Sequence, residues 1–290
     1  MNDRLALGTA QFGLRYGVAN QCGQVASEEV GRIIVAAATG GMRTLDTAIA
    51  YGTSESVLGS CGVTSWEIVT KLPAIPDDCD DVQVWSLKQV EGSLTRLNVE
   101  SVHGVLLHRP DQLFGVHGSA LLRGLRLMQT RGYTKKIGVS IYAPAELNDI
   151  LALGVFDLVQ APLNILDRRL VESGWAQRLS ELGVELHTRS VFLQGLLLMS
   201  AAQRPAKFKR WHSIWDEWER WLEVSGLSPV QACLRYVLSV SEVDRLVVGV
   251  DTLAHLQDIL SAAAGILPDL PKWRMAPEVE LINPVHWNQL

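Results

Sequence analysis

Four side chains in the first 110 residues carry a coherent set of reactive groups: Asp46, Tyr51, Lys71 and His108. A tyrosine hydroxyl titrates near about 10 in water, so it is a weak acid at neutral pH. A nearby ammonium stabilises the phenolate and lowers that value. A buried carboxylate would hold the ammonium in place, and an imidazole can hydrogen-bond a carbonyl oxygen. Such a set suits proton delivery to an oxygen that gains negative charge. Taken singly, each residue also has a structural explanation. Asp46 could be a cap, Tyr51 a packing residue before Gly52, Lys71 a strand-end side chain reaching solvent and His108 a core histidine. Their placement along the chain decides between these explanations.

Short apolar runs fall at 5–8, 43–46, 67–72, 102–108, 136–140, 158–161, 184–189 and 245–249. Between them lie stretches with helical spacing at 27–39, 55–58, 81–97, 121–131, 144–153, 175–182, 207–223, 229–240 and 253–263. Ser27 is the expected cap of the first, where Val30, Ile33, Ile34 and Ala37 share one face. Val84, Leu87, Val90, Leu94 and Leu97 share a face of another, and Pro144 stands at an expected first helical position. The apolar runs do not alternate, as expected of strands covered on both faces. Eight such βα units predict an α/β chain folded as a (β/α)8 TIM barrel. A doubly wound open sheet is the second choice. Gly8-Thr9-Ala10-Gln11-Phe12-Gly13, after the first run, lacks the G-x-G-x-x-G spacing of a dinucleotide-binding open sheet.

A barrel carries its chemistry at the C-terminal ends of its strands. Asp46, Lys71 and His108 end the second, third and fourth runs, and Tyr51 follows the second. Convergence on one mouth makes the chemical reading the better one. No linker, repeat or low-complexity tract divides the sequence, so residues 1–290 are expected to form a single barrel domain. Residues 267–290 hold Pro268, Pro271, Pro277 and Pro284 and form an irregular tail, expected to cover the mouth or to wrap the outside.

Composition narrows the partners. The 290 residues are 48% hydrophobic and 20% charged, with mean hydropathy +0.14, net charge -5 and pI near 5.8. That balance argues against nucleic acid, which demands clustered Lys and Arg. No apolar run reaches the length of about 20 residues needed to cross a membrane, and the first residues lack the pattern of a signal peptide. Cys22, Cys61, Cys79 and Cys233 are scattered without a C-x-x-C pair. Reduced thiols in a cytoplasmic protein, with no metal site, are expected.

The sequence resembles the aldo-keto reductase family. The resemblance rests on residues 8–13, on Leu45-Asp46-Thr47-Ala48-Ile49-Ala50-Tyr51-Gly52 with Ser54-Glu55, on Val69-Thr70-Lys71, and on Leu106-Leu107-His108-Arg109-Pro110. It extends from about Leu5 to Ala263. It implies reduction of a carbonyl substrate with NADP(H) or NAD(H): Tyr51 the general acid, Lys71 lowering its pKa, Asp46 supporting Lys71, His108 orienting the carbonyl. It further implies Ser140 and Gln160 as carboxamide contacts, although the family's usual Asn beside that Ser is Ile141. Arg189-Ser190 stands where an aromatic residue and Ser are frequent, and an Arg plane can stack on nicotinamide. Phe192-Leu193-Gln194-Gly195 resembles the loop that cradles a pyrophosphate.

At the adenosine end, Gly249 and Asp258 match the family pattern. Asp251 stands where many relatives place Ser, Lys or Arg, Gln257 near a frequent Arg, and Ile259 in place of a frequent Asn. A carboxylate repels a ribose 2′-phosphate and accepts from a 2′-hydroxyl, so NADP preference should be weaker than usual. Asp251 as a mere helix cap is the alternative. Tyr16, Arg109 and Asn164 are expected at the substrate mouth. Arg109 would suit an anionic or hydroxyl-rich substrate such as a sugar derivative, with a surface ion pair as its alternative. Trp211, Trp215, Trp218 and Trp221 share one helix face, expected to pack on the barrel, with a lid or subunit contact as the alternative. A monomer or weak homo-oligomer is expected. Two other functions compete with reduction: a nicotinamide-binding regulatory barrel with little or no turnover, and a lyase or isomerase.

Overall fold

The structure is a computed structural model that describes residues 2–154, 156–271, 273 and 276–290. Eight parallel strands, β1 (Leu5–Gly8), β2 (Thr44–Asp46), β3 (Glu67–Leu72), β4 (Val102–Leu107), β5 (Thr134–Ser140), β6 (Leu158–Pro162), β7 (Glu185–Arg189) and β8 (Arg245–Gly249), close into a barrel in sequence order. The expected (β/α)8 architecture is the observed one, and the open sheet is excluded because β1 pairs with β8. Nearly all strand residues are buried, which accounts for their unalternating pattern.

Register places the site. Gly249, Gly8 and Asp46 lie side by side across β8, β1 and β2. Ser140, Gln160 and His187 do so across β5, β6 and β7. Val69, Leu106 and Leu158 form a small apolar cluster apart from the large one that includes the helices. On the N-terminal side of Gln160 and His187, Glu185 accepts from His103 Nε2 (2.9 Å), His187 Nε2 (2.6 Å) and Lys136 Nζ. Those donors hold its carboxyl far below the usual carboxylate range.

Several local expectations need correction. Ala26, not Ser27, is the N-cap of Ser27–Thr39, and it makes no side-chain capping bond. Val84, assigned to a buried face, is exposed, and Val82 is buried instead. Pro144 precedes the helix Glu146–Ala152 rather than opening it. The helix expected at 207–223 is a 3-10 segment, Ala206–Trp211, followed by an α-helix, His212–Ser225.

Trp211, Trp215 and Trp218 are buried packing residues. Trp215 Nε1 donates to the Phe208 carbonyl at 2.9 Å. Trp211 and Trp221 reach the tail, donating to Glu278 Oε2 (3.0 Å) and the Asp269 carbonyl (2.8 Å). Lys207 Nζ donates to the Trp287 carbonyl. The tail is thereby tied to this helical segment. Among the described residues, no helix is long and apolar enough to cross a membrane.

Candidate active site

A cavity of about 410 Å³ runs from Asp46 and Tyr51 past Arg189 and Ser190 to Gly249, Asp251 and Asp258. Its catalytic end is built by close backbone packing. A Cβ on Gly13 would lie 1.8 Å from the Tyr51 carbonyl oxygen, and one on Gly52 would lie 2.5 Å from the Gly13 carbonyl oxygen. Gly52 also adopts φ +55, which glycine tolerates best. These two contacts press the loop after β2 against the loop after β1. Ser54 locks them from within, its hydroxyl donating to the Thr9 carbonyl at 2.9 Å.

Lys71 Nζ donates to both Asp46 carboxylate oxygens and to the Thr47 carbonyl, each at 2.8 Å. Its three protons are therefore committed. Gln160 Nε2 donates to Asp46 Oδ1 (2.6 Å), and Ser140 Oγ donates to Gln160 Oε1 (3.1 Å). Ser140 and Gln160 are both buried and do not line the cavity: Gln160 is turned toward Asp46 and Ser140 toward Gln160. The Lys71 ammonium lies 5.2 Å from the Tyr51 ring centroid, and the His108 ring meets Tyr51 edge to face at 5.9 Å. The four expected catalytic residues thus form one cluster.

The electrostatics differ from expectation. Burial and the Asp46 carboxylate push the Tyr51 hydroxyl above its usual value rather than below it. Asp46 already compensates the Lys71 charge, and the Arg189 charge opposes the rise without overcoming it. Burial pulls Lys71 down, while Asp46 opposes that shift. Burial, with Lys71 and Arg189, lowers His108 to about 4, leaving a neutral imidazole at neutral pH.

Arg189 ends β7 and lines the cavity. The loop that follows holds Ser190, Leu193, Gln194 and Gly195 at positive φ. Among the described residues, the amides of Val191, Phe192 and Gln194 have no backbone acceptor. Val191, Phe192, Gln194 and Gly195 line the cavity, and Leu193, expected with them, is buried behind it. Gly249 faces Gln11, whose amide nitrogen would lie 2.6 Å from a Cβ placed there. Asp251 lines the far end and accepts from Asn20 Nδ2 at 2.9 Å. It does not cap the final helix; Thr252 does, accepting from the His255 amide.

Three further expected contacts are not brought to the cavity. Arg109 is well exposed and pairs with Asp111 at 3.0 Å, so its surface-pair alternative is the observed one. Asn164 is buried; its oxygen accepts from the Leu166 and Asp167 amides and its nitrogen donates to the Ser190 carbonyl. It shapes a turn rather than the mouth. Gln257 is exposed and does not line the cavity. Tyr16, Asp258 and Ile259 do.

Sequence reasoning passed over Gln11, Asn20, Tyr142 and His255. Gln11 lay inside a quoted motif, and Tyr142 follows β5 closely enough for the strand-end rule to have found it. Asn20 and His255 carried no spacing signal.

The Aldo/keto reductase family model matches residues 4–269. The chain belongs to the aldo/keto reductase family. An aldo-keto reductase of Mycolicibacterium vanbaalenii is 30% identical over 137 residues, 46% of this chain. The matched stretch spans about half of that relative, 48% of its length. Solved structures share the fold. One is an aldo-keto reductase of Bacillus halodurans in its holo form, 18% identical, covering 92% of this chain and 88% of its own, TM-score 0.71. Another is a candidate aldo-keto reductase of Pseudomonas aeruginosa, 22% identical, covering 90% and 89%, TM-score 0.67.

Proposed function

We propose that this chain is a single-domain, nicotinamide-dependent oxidoreductase that reduces an aldehyde or ketone to an alcohol, with Tyr51 as general acid. The observation that carries this reading is Tyr51 on the cavity wall, backed by the Lys71–Asp46 pair and met by the His108 ring. The residues present fit a dinucleotide. The cavity is lined by Gly8, Asp46, Arg189 and Gly249 at the ends of β1, β2, β7 and β8, and its volume falls within the range of about 300–1,000 Å³ seen for small-molecule and cofactor sites. The unpartnered amides of Val191, Phe192 and Gln194 suit phosphate oxygens. Gly249 leaves room on that wall for the Gln11 amide, which a Cβ there would meet at 2.6 Å.

A bound reduced nicotinamide supplies the hydride. The chain's own residues handle the oxygen. Neutral His108 can donate one N–H to the carbonyl and fix its direction. Tyr51, held protonated by burial, gives its proton to the oxygen as negative charge grows there. An alkoxide is the stronger base, so a high tyrosine pKa does not prevent that transfer. Lys71 and Asp46 keep a dipole of fixed direction behind the phenol, and that fixed field needs no reorganisation during the reaction.

The test mixes purified protein with NADPH or NADH and a panel of aldehydes and ketones, and follows oxidation of the reduced nicotinamide. Tyr51→Phe should lower turnover by about 100-fold or more while fluorescence titration shows the cofactor still bound. Undiminished turnover in that variant would remove the acid role. Cofactor binding without turnover on any carbonyl would favour the regulatory alternative.

A further inference from the structure

Arg189 places a guanidinium on the cavity wall beside Tyr51 and leaves it without a carboxylate. Among the described residues no acidic oxygen lies within ion-pair distance of it. Its contacts are neutral: the Ile141 carbonyl at 2.9 Å, Ser190 Oγ at 3.2 Å, and the Tyr142 ring at 4.6 Å to the centroid. The nearby acid is committed elsewhere. Asp46, the acid at this end of the cavity, holds Lys71 and Gln160. Around Tyr51 the Lys71 and Asp46 charges cancel and His108 is neutral. One half-buried positive charge is left over. Partly burying a charge without a partner is costly, and a guanidinium is shaped to receive a carboxylate through two parallel N–H groups.

We propose that Arg189 forms the anion subsite of the substrate pocket, and that the carbonyl compound reduced at Tyr51 carries a carboxylate. The proposal rests on the reductase reading and refines its substrate class. The expectation of an anionic substrate is kept, and its receptor moves from Arg109 to Arg189.

A second source of negative charge is the cofactor's pyrophosphate. The loop geometry separates the two. Ile141 and Tyr142, which hold the guanidinium, follow β5, next to the strand that ends before His108. The loop with the unpartnered amides leans the other way. Its Gln194 carbonyl accepts from the Ala19 amide at 3.4 Å, and a Cβ on Gly195 would meet Ala19 at 2.4 Å. Ala19 belongs to the segment after β1. The guanidinium is therefore held on the β5 side of the mouth, and the amides lean toward the β1 side across the barrel.

The experiment compares two matched pairs, 4-carboxybenzaldehyde with its methyl ester and 4-oxobutanoate with its methyl ester, in wild type and Arg189→Met. Loss of a charge-assisted contact of this kind is worth about 10- to 100-fold. The wild type should favour at least one acid over its ester by that factor in kcat/KM, and the ratio should collapse to within about threefold of one in Arg189→Met. A ratio near one for both pairs in wild type, or a ratio that survives the substitution, overturns the proposal. So does intact discrimination with a weakened NADPH Kd, which would give the guanidinium to the pyrophosphate. If neither enzyme turns over any carbonyl, the reductase reading fails separately. Calorimetric titration of the NADPH-loaded protein with benzoate and benzamide then decides the subsite. Preference for benzoate lost in Arg189→Met upholds the subsite; equal or absent binding removes it.

Discussion

Lys71 Nζ lies 2.8 Å from each carboxylate oxygen of Asp46, and the Lys71 side chain is completely buried. Lys71 is shut off from bulk water and Asp46 nearly so, and each depends on the other. Removing one partner of a buried pair leaves an uncompensated charge and costs about 3–5 kcal/mol. Lys71→Met should lose stability of that size in urea denaturation. Adding Asp46→Leu should recover a good part of it, because two apolar groups replace two charges. Activity should stay lost in both. If the double variant were as unstable as the sum of the singles, the pair would not be the source of the cost.

His108 gives a pH prediction with a defined sign. Its pKa falls from 6.5 to about 4 in the folded chain, mainly through burial. The unfolded chain therefore binds more protons between those values. Stability contributed by His108 is fully present above about 6.5 and is lost as pH falls toward about 4. His108→Asn should flatten the dependence of Tm on pH in that window. The reduction rate of wild type should show no His108 protonation step above about pH 5. A clear step near 6.5 that disappears in His108→Asn would contradict a neutral, buried imidazole.

Fold and catalytic cluster were legible for the same reason. Burial on both faces writes a strand as an apolar run, and a polar residue at the end of such a run marks the mouth. Asp46, Lys71 and His108 obey that rule, and so do Ser140, Gln160 and Arg189. What the rule cannot supply is the partner. Gln160 satisfies Asp46 and Ser140 satisfies Gln160, Asn164 closes a turn, and Arg109 finds Asp111 two residues away. Those choices depend on distances across the barrel or within a loop. The same limit explains the sign of the Tyr51 shift. A lysine near a phenol suggests a lowered pKa, but burial of the phenol, with the carboxylate that neutralises the lysine, reverses it.

Gly13 tests whether the Tyr51 loop is held by backbone contact. A Cβ there would stand 1.8 Å from the Tyr51 carbonyl oxygen and 2.5 Å from the Ser54 amide nitrogen, both backbone atoms. Neither can swing aside as a side chain would. Gly13→Ala should therefore cost about 1–3 kcal/mol and lower kcat by more than it changes cofactor affinity, because Tyr51 moves with its loop. Gly23→Ala is the control for the β1 side. No heavy atom lies within 4 Å of a Cβ there, although its φ of +79 adds some strain. If Gly13→Ala behaved like Gly23→Ala in both stability and kcat, the packing of the two loops would not position the acid.

Asp251 bears on the choice between NADPH and NADH. It lies at the end of the cavity away from Tyr51, half-buried, with Asn20 donating to it at 2.9 Å. Burial raises its pKa, while Asn20 and the neighbouring His255 favour the charged form. A carboxylate here accepts from a ribose 2′-hydroxyl and repels a 2′-phosphate. Asp251→Ser should therefore improve NADPH affinity relative to NADH by about tenfold, as expected for one close like-charge contact near a protein surface. Fluorescence titration of both cofactors in both proteins measures the ratio. The effect should shrink as ionic strength rises, since part of the site is open to solvent. An unchanged ratio at low salt would place Asp251 in the Asn20 contact alone, with no part in reading the ribose.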